Sequence, residues 1–148
     1  MLHRTERGRE RPLYPNQFVN YARSSAAVAK AKSLCAGSAS NAQKVAAIYR
    51  FITGNIKYDY AKAKSVTAGY LPNVDSTLSS KKGICFDYSA LMAAMCRSQG
   101  IPTRLVIGNT GAGYHAWNEV YLGGWKRYDS TFAAAGQSAG YYTAEKYY

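Results

Sequence analysis

Cys85 directly follows Gly83-Ile84 and opens a long apolar stretch of helical pattern that Gly100 and Ile101-Pro102 bring to an end. A thiol becomes a nucleophile when it loses its proton. The first turn of a helix favours that loss, because its backbone N–H groups have no intrahelical partner and stabilise an anion. The same N–H groups can hold a developing oxyanion. A neighbouring imidazolium would act in the same direction. In such surroundings a thiol pKa near 8.5 falls to about 3.5–7.5. The chain has two histidines. His3 lies in a charged N-terminal stretch, which leaves His115 as the candidate base. An imidazole that works as a base also needs an acceptor on its other nitrogen. Asp129 is the natural candidate, and Glu119, on the face of His115 by strand alternation, is its rival.

Whether Asp129 meets His115 depends on one hairpin. If Gly123-Gly124 is a two-residue loop, Leu122 faces Trp125, and Asp129 opposes Asn118 and points away from His115. If the loop has three residues, Tyr121 faces Trp125, and Asp129 falls opposite Trp117, diagonal to His115 on its own face. Diagonal side chains lie about 7–8 Å apart, within reach of one another. A Cys-His-Asp set therefore predicts an odd offset here, from a three- or five-residue loop with glycine in the left-handed region or from a bulge. The same three side chains could ligate zinc, but no Cys or His pair stands at the close spacing that zinc sites use. Cys35 and Cys96 sit in ordinary apolar surroundings and read as packing residues. An odd number of cysteines excludes a pure disulfide scaffold. Cys85 and Cys96, eleven positions apart on one helix, would be separated by about 16 Å and cannot bridge.

The elements that must position these residues are legible in outline. Residues 24–37 read as a helix capped at Ser24 or Ser25 and stopped at Gly37. Ser40 and Gln43 form a capping-box pair, and Val45, Ile48, Tyr49 and Ile52 recur at helical spacing up to Gly54-Asn55. IKYDY, 56–60, reads as extended. Residues 61–80 read as a long surface loop that walls a cleft. The helix begun by Cys85 is apolar or small nearly all round apart from Arg97, so it belongs at the domain centre. Asp87 is placed to interact with the N-terminus of that helix. After it the period changes to two, and TRLVIG, YHAWNEVYL and WKRYDSTF read as three antiparallel strands. The order predicts an α+β fold with a buried central helix on a sheet. Residues 1–20 read as a basic arm, disordered or extended, and 21–148 as the domain. The last sixteen residues carry no firm pattern.

Nineteen basic against eight acidic residues give a formal charge of +11, which favours anionic neighbours such as an anionic cell-wall polymer. Nucleic acid is disfavoured, since the basic residues are scattered and no nucleic-acid motif appears. Lys81-Lys82, beside the thiol, would favour acidic substrates if they face the cleft. No run of 18 apolar residues spans a membrane, and no signal peptide is visible.

The blocks GICFDYSALMAAMCRSQGIPTRLVIG, YHAWNEVYL and WKRYDSTF, in this order, closely resemble the transglutaminase-like superfamily of papain-like fold, over about residues 40–132. The resemblance implies Cys85 as nucleophile, His115 as general base and acid, and Asp129 as the residue that orients it. It implies cysteine-dependent acyl transfer at an amide bond of a protein or peptide substrate, either hydrolysis or glutamine transamidation. A binding module that has kept the fold and lost the chemistry is the competing expectation. The family's second oxyanion donor is an upstream side chain, for which Tyr58 and Tyr60 are the candidates. Ser130 stands where many members have proline. No cofactor is implied, and no acidic cluster suits calcium. The similarity to bacterial, often exported, domains favours an extracellular or cell-surface setting.

Overall fold

A computed structural model describes residues 11–148. Residues 1–10 of the expected arm lie outside the described residues. Beyond a short 3-10 turn at Arg11–Leu13, residues 14–20 form no helix or strand, and Val19 is fully buried against the domain. Helix α1, Ala26–Cys35, starts after Ser25. Its first N–H groups are satisfied from a distance. Those of Ala26 and Ala27 donate to the Asp75 carboxylate at 3.2 and 3.0 Å, while the Ser25 hydroxyl accepts from the Ala22 N–H. Helix α2, Asn41–Asn55, has the Ser40 cap expected from its sequence, with the Gln43 N–H on the Ser40 hydroxyl at 3.2 Å. Val45, Ile48 and Ile52 form its fully buried stripe.

The extended stretch after α2 is shorter than its sequence indicates. Only Lys57–Tyr58 forms a strand, β1. The expected loop 61–80 is mostly helical, a correction with a local cause. Asp59 caps α3, Tyr60–Ser65, by accepting from the Lys62 N–H at 3.0 Å. Asn73 caps α4, Val74–Ser80, by accepting from the Ser76 N–H at 3.0 Å. Short helices with one cap each leave little periodicity to read. Strand β2, Lys82–Gly83, pairs in parallel with β1, bringing Tyr58 beside Gly83.

Helix α5, Cys85–Ser98, is the centre of the domain. Every residue from Tyr88 to Cys96 is essentially fully buried. Arg97, the charged exception, is buried as well. Its guanidinium donates to the carbonyls of Thr103 at 2.8 Å, Tyr14 at 2.8 Å and Tyr148 at 2.6 Å. Burial lowers its pKa to about 10, still charged at neutral pH.

One face of α5 meets a four-stranded antiparallel sheet of order β5-β4-β3-β6. Its strands are β3, Thr103–Thr110, β4, Gly113–Tyr121, β5, Trp125–Tyr128, and β6, Tyr142–Tyr147. Ala116, Asn118 and Val120 face the helix, and the Asn118 amide donates to the Ser89 carbonyl at 2.9 Å. His115, Trp117 and Glu119 alternate with them, and His115, near the start of β4, meets the first residue of α5, Cys85. Tyr121 pairs with Trp125 across a three-residue loop in which Gly123 has φ +77°, the odd offset that the site demands. WKRYDSTF is a strand only as far as Tyr128. Asp129 accepts from the Phe132 N–H at 3.1 Å and caps helix α6, Ser130–Ala135. The C-terminal segment, without a firm pattern in the sequence, supplies β6, which pairs with β3 and completes the sheet. Among the described residues no helix is long and apolar enough to cross a membrane.

Candidate active site

Gly83 and Asp87 build the start of α5. A Cβ on Gly83 would lie 2.5 Å from the Asp87 Cβ, so the chain enters the helix over a residue without a side chain. The Asp87 carboxylate, fully buried, reaches back to the Ile84 N–H at 2.9 Å and closes the helix end. It also accepts from the Lys62 ammonium at 2.9 Å and the Tyr70 hydroxyl at 2.6 Å, tying residues 60–70 to the site. Burial pushes the Lys62 pKa down, but the bonds to Tyr70 and Asp87 outweigh it and hold the ammonium charged.

Cys85 occupies the first position of α5. It is the one cysteine of the three that is not buried. Cys96 is fully enclosed, and burial pushes its thiol up to about 12, which makes it inert at neutral pH. Cys35 is raised too, by partial burial. Both are packing residues, as their sequence surroundings indicate.

His115 is brought to Cys85 from the second strand of the sheet. Its Nε2 lies 2.9 Å from the Asp129 Oδ2, which leaves Nδ1 for the thiol. The imidazole feels three influences. Burial disfavours its charge, and hydrogen bonds to Asp129 and to the Cys85 side chain favour it. The favourable ones win, and its pKa rises to about 9. The side chains of His115 and Asp129 are only 7% and 8% exposed, so water screens this pair little. Phe132, from the first turn of α6, stacks on the imidazole with ring centroids 4.4 Å apart and fixes its plane. The structure thus brings Cys85, His115 and Asp129 together. Glu119, the rival orienter, is taken elsewhere. It pairs with Arg104 at 3.1 Å, towards the other end of the strand.

A cavity of about 360 Å³ opens over the thiol. Cys85 and His115 line it together with Tyr58, Tyr60, Tyr114, Phe132 and Ala135. No Lys, Arg, Asp or Glu lines it. Tyr58 and Tyr60 pack edge to face at 4.9 Å, and they differ in setting. Tyr60 is 69% exposed, whereas Tyr58 is partly buried, with a phenol raised by burial, by the Cys85 sulfur beside it and by Tyr60. Among the described residues no group of three or more His, Cys, Asp or Glu side chains is arranged to hold a metal ion.

Two contributors carry little mark in the sequence. The alternation of WKRYDSTF places Phe132 on a strand, where it would not stack on His115. The signal that finds it is the Asp129 cap three residues earlier. Tyr142 donates its hydroxyl to the Asp129 Oδ2 at 2.8 Å. Its only signal is a run of aromatic and β-branched residue types, Tyr141-Tyr142-Thr143, in an otherwise unpatterned tail.

The overall fold is shared with known proteins. In overall fold the chain matches a candidate cysteine protease from Cytophaga hutchinsonii, with a TM-score of 0.70 and 21% identity, over 95% of this chain and 54% of that one. It also matches the periplasmic domain of TgpA from Pseudomonas aeruginosa, with a TM-score of 0.69 and 26% identity, over 88% of this chain and 49% of that one. In sequence, UPF0252 protein MJ1282 of Methanocaldococcus jannaschii is 37% identical over 59 residues, which cover 36% of this chain and 17% of that protein. The chain therefore spans about half the length of these solved relatives and a smaller part of the archaeal one. The fold is the papain-like, transglutaminase-like one. The family model of the transglutaminase-like superfamily matches residues 28–130, well over half of the sequence, and the chain belongs to that superfamily.

Proposed function

We propose that the chain catalyses cysteine-dependent acyl transfer at an amide bond, and that its reaction is hydrolysis of a peptide or isopeptide bond. The observation that carries the reading is the imidazole of His115 held between the Asp129 carboxylate and the Cys85 thiol at a helix start. The Cys85 thiolate attacks the carbonyl carbon, and the carbonyl electrons move to oxygen. The Cys85 N–H and the Tyr58 hydroxyl receive that oxyanion, so Tyr58 takes the place of second donor. The tetrahedral intermediate collapses, and the C–N bond breaks as His115 protonates the leaving amine through Nδ1. Water then gives a proton to His115 and attacks the thioester, releasing the acid and restoring the thiol. An amine in place of water would give transamidation.

The lining favours uncharged substrates. A charged side chain entering a cavity whose one charged lining group, His115, is already paired with Asp129 loses hydration and finds no free counter-charge. The net charge of +11 therefore acts outside the cavity, on the approach of the substrate. The test is a fluorogenic peptide library run with and without a primary amine, with Cys85→Ala as control. Hydrolysis lost in Cys85→Ala is expected. Amine incorporation without hydrolysis would replace the reading by transamidation. No turnover, together with three thiols alkylated equally slowly by iodoacetamide at about pH 6, would mark a binding module instead.

A further inference from the structure

We propose that Tyr142, on the C-terminal strand beyond the family-matched residues 28–130, is a positioning residue for the Asp129–His115 pair. The inference rests on the reading of His115 as the acid and base of the site. The Asp129 carboxylate has three donors. Oδ1 takes the Phe132 N–H at 3.1 Å, and Oδ2 takes His115 Nε2 at 2.9 Å and the Tyr142 hydroxyl at 2.8 Å. The first bond fixes the carboxylate to the start of α6. The other two share one oxygen, so the phenol decides where that oxygen sits and how much of its charge the imidazole feels.

The phenol is itself held on several sides. Tyr142 opens β6 and pairs with Thr110 of β3. Its ring stands edge to face on Trp117 with centroids 4.9 Å apart, and the Arg127 guanidinium lies 3.9 Å from the ring centroid. The titratable and charged groups around the set are Cys85 from α5, Arg127 from β5 and Tyr49 from α2, whose hydroxyl lies 3.5 Å from the Asp129 carbonyl. Burial and the neighbouring carboxylate raise the Tyr142 phenol, so it stays a donor throughout the working range of a cysteine enzyme. A hydrogen bond from a neutral donor disperses the charge of Oδ2. Without it the carboxylate becomes a stronger partner for imidazolium, and the oxygen is free to move.

Tyr142→Phe removes one oxygen atom and leaves the ring packing and the β6 backbone pairs in place. Two effects are expected together. The value of kcat/KM falls about tenfold, the scale of one hydrogen bond to a charged group. The alkaline limb of the pH profile, set by His115, moves upward by about half a unit, because Oδ2 now favours the imidazolium more strongly. The limb is read twice: from peptide hydrolysis, and from the rate of Cys85 alkylation by iodoacetamide, which needs no amide turnover. NMR titration of His115 in a His3→Ala background, where one imidazole remains, follows the same event directly. A loss of packing alone would lower the melting temperature without moving the limb. A second measurement needs no change at residue 142. In Asp129→Asn the Tyr142 phenol, followed by its ring carbon resonances, must ionise at lower pH than in the parent.

A Tyr142→Phe protein with unchanged rate and unchanged limb overturns the inference. So does a slower one whose limb and His115 titration coincide with the parent's. A parent that hydrolyses nothing, with an alkylation limb that still moves in Tyr142→Phe, would sink the proposed reaction and support the role of Tyr142.

Discussion

Asp87→Ala tests whether the buried carboxylate at the helix start holds the site together. The substitution orphans three donors, and their costs differ. Lys62 is 32% exposed and can turn to water, so its loss adds little. The Tyr70 hydroxyl, in the segment between α3 and α4, can also find water once released. The Ile84 N–H cannot, because Ile84 is 4% exposed, and an orphaned buried donor costs about 1–3 kcal/mol. The helix also loses the carboxylate in its first turn, worth about 0.3–1 kcal/mol more. The sum is about 1.3–4 kcal/mol, which in a chain of this size lowers the melting temperature by about 4–12 °C. Thermal unfolding followed by far-UV circular dichroism reads it. Asp87→Asn keeps an oxygen for the Ile84 N–H and should fall about half as far. The tie to residues 60–70 is cut in Asp87→Ala and weakened in Asp87→Asn, which loses the charge that holds Lys62, so the wall carrying Tyr58 and Tyr60 loosens and KM should rise, more in Asp87→Ala, even where most protein remains folded. A melting temperature within about 2 °C of the parent for Asp87→Ala would refute the reasoning, because no buried N–H would then depend on this side chain.

Three further outcomes rest on the same geometry. His115 has a folded pKa of about 9, above its ordinary 6.5, so it contributes stability that is fully present below about pH 6.5 and is lost as the pH rises through 9. Denaturant unfolding across that window should show the decline, and Asp129→Asn should flatten it. Ala135→Lys puts a cation on the uncharged cavity wall and should raise kcat/KM for peptides with an acidic side chain near the scissile bond at least about tenfold relative to apolar ones, measured on paired fluorogenic peptides. Arg97→Met leaves three backbone carbonyls without their guanidinium and should destabilise the fold by about 2–4 kcal/mol in urea titrations, with the reactivity of the distant Cys85 thiol unchanged.

An element is legible in this sequence in proportion to the length of its pattern. Helix α2 declares itself through the Ser40 cap and a buried stripe over about two turns. Helix α5 does so through a continuous apolar surface bounded by Gly83 and Gly100. The site is legible because its three residues stand on, or at the end of, such elements, and because one loop length fixes whether Asp129 and His115 share a face. Helices α3, α4 and α6 have six or seven residues, too few to show a period, and their only mark is a capping Asp or Asn that serves equally well in a turn. Strand β6 is hidden for a different reason. Its register is set by a distant partner, β3, and shifts by a bulge at Ile107/Gly108, so its sequence carries no simple alternation.

That concealed strand alters how the site is understood. The family-matched residues end at Ser130, immediately after the carboxylate. In this chain the sheet is finished, and the outer side of the Asp129–His115 pair covered, by residues beyond that point. Trp117 packs under Tyr142, Arg127 lies over it, and the phenol shares an oxygen with the imidazole. The thiol at the tip of α5 is thus set by the plainest pattern in the sequence, the Gly-Ile-Cys helix start. The basicity of its partner, raised by Asp129 and Cys85, is adjusted on this inference through a strand that this pattern does not include. Two chains with the same cysteine, histidine and aspartate can then differ in working pH through the segment C-terminal to the aspartate, and exchanging residues 137–148 between such chains should carry the alkaline limb with the exchanged segment.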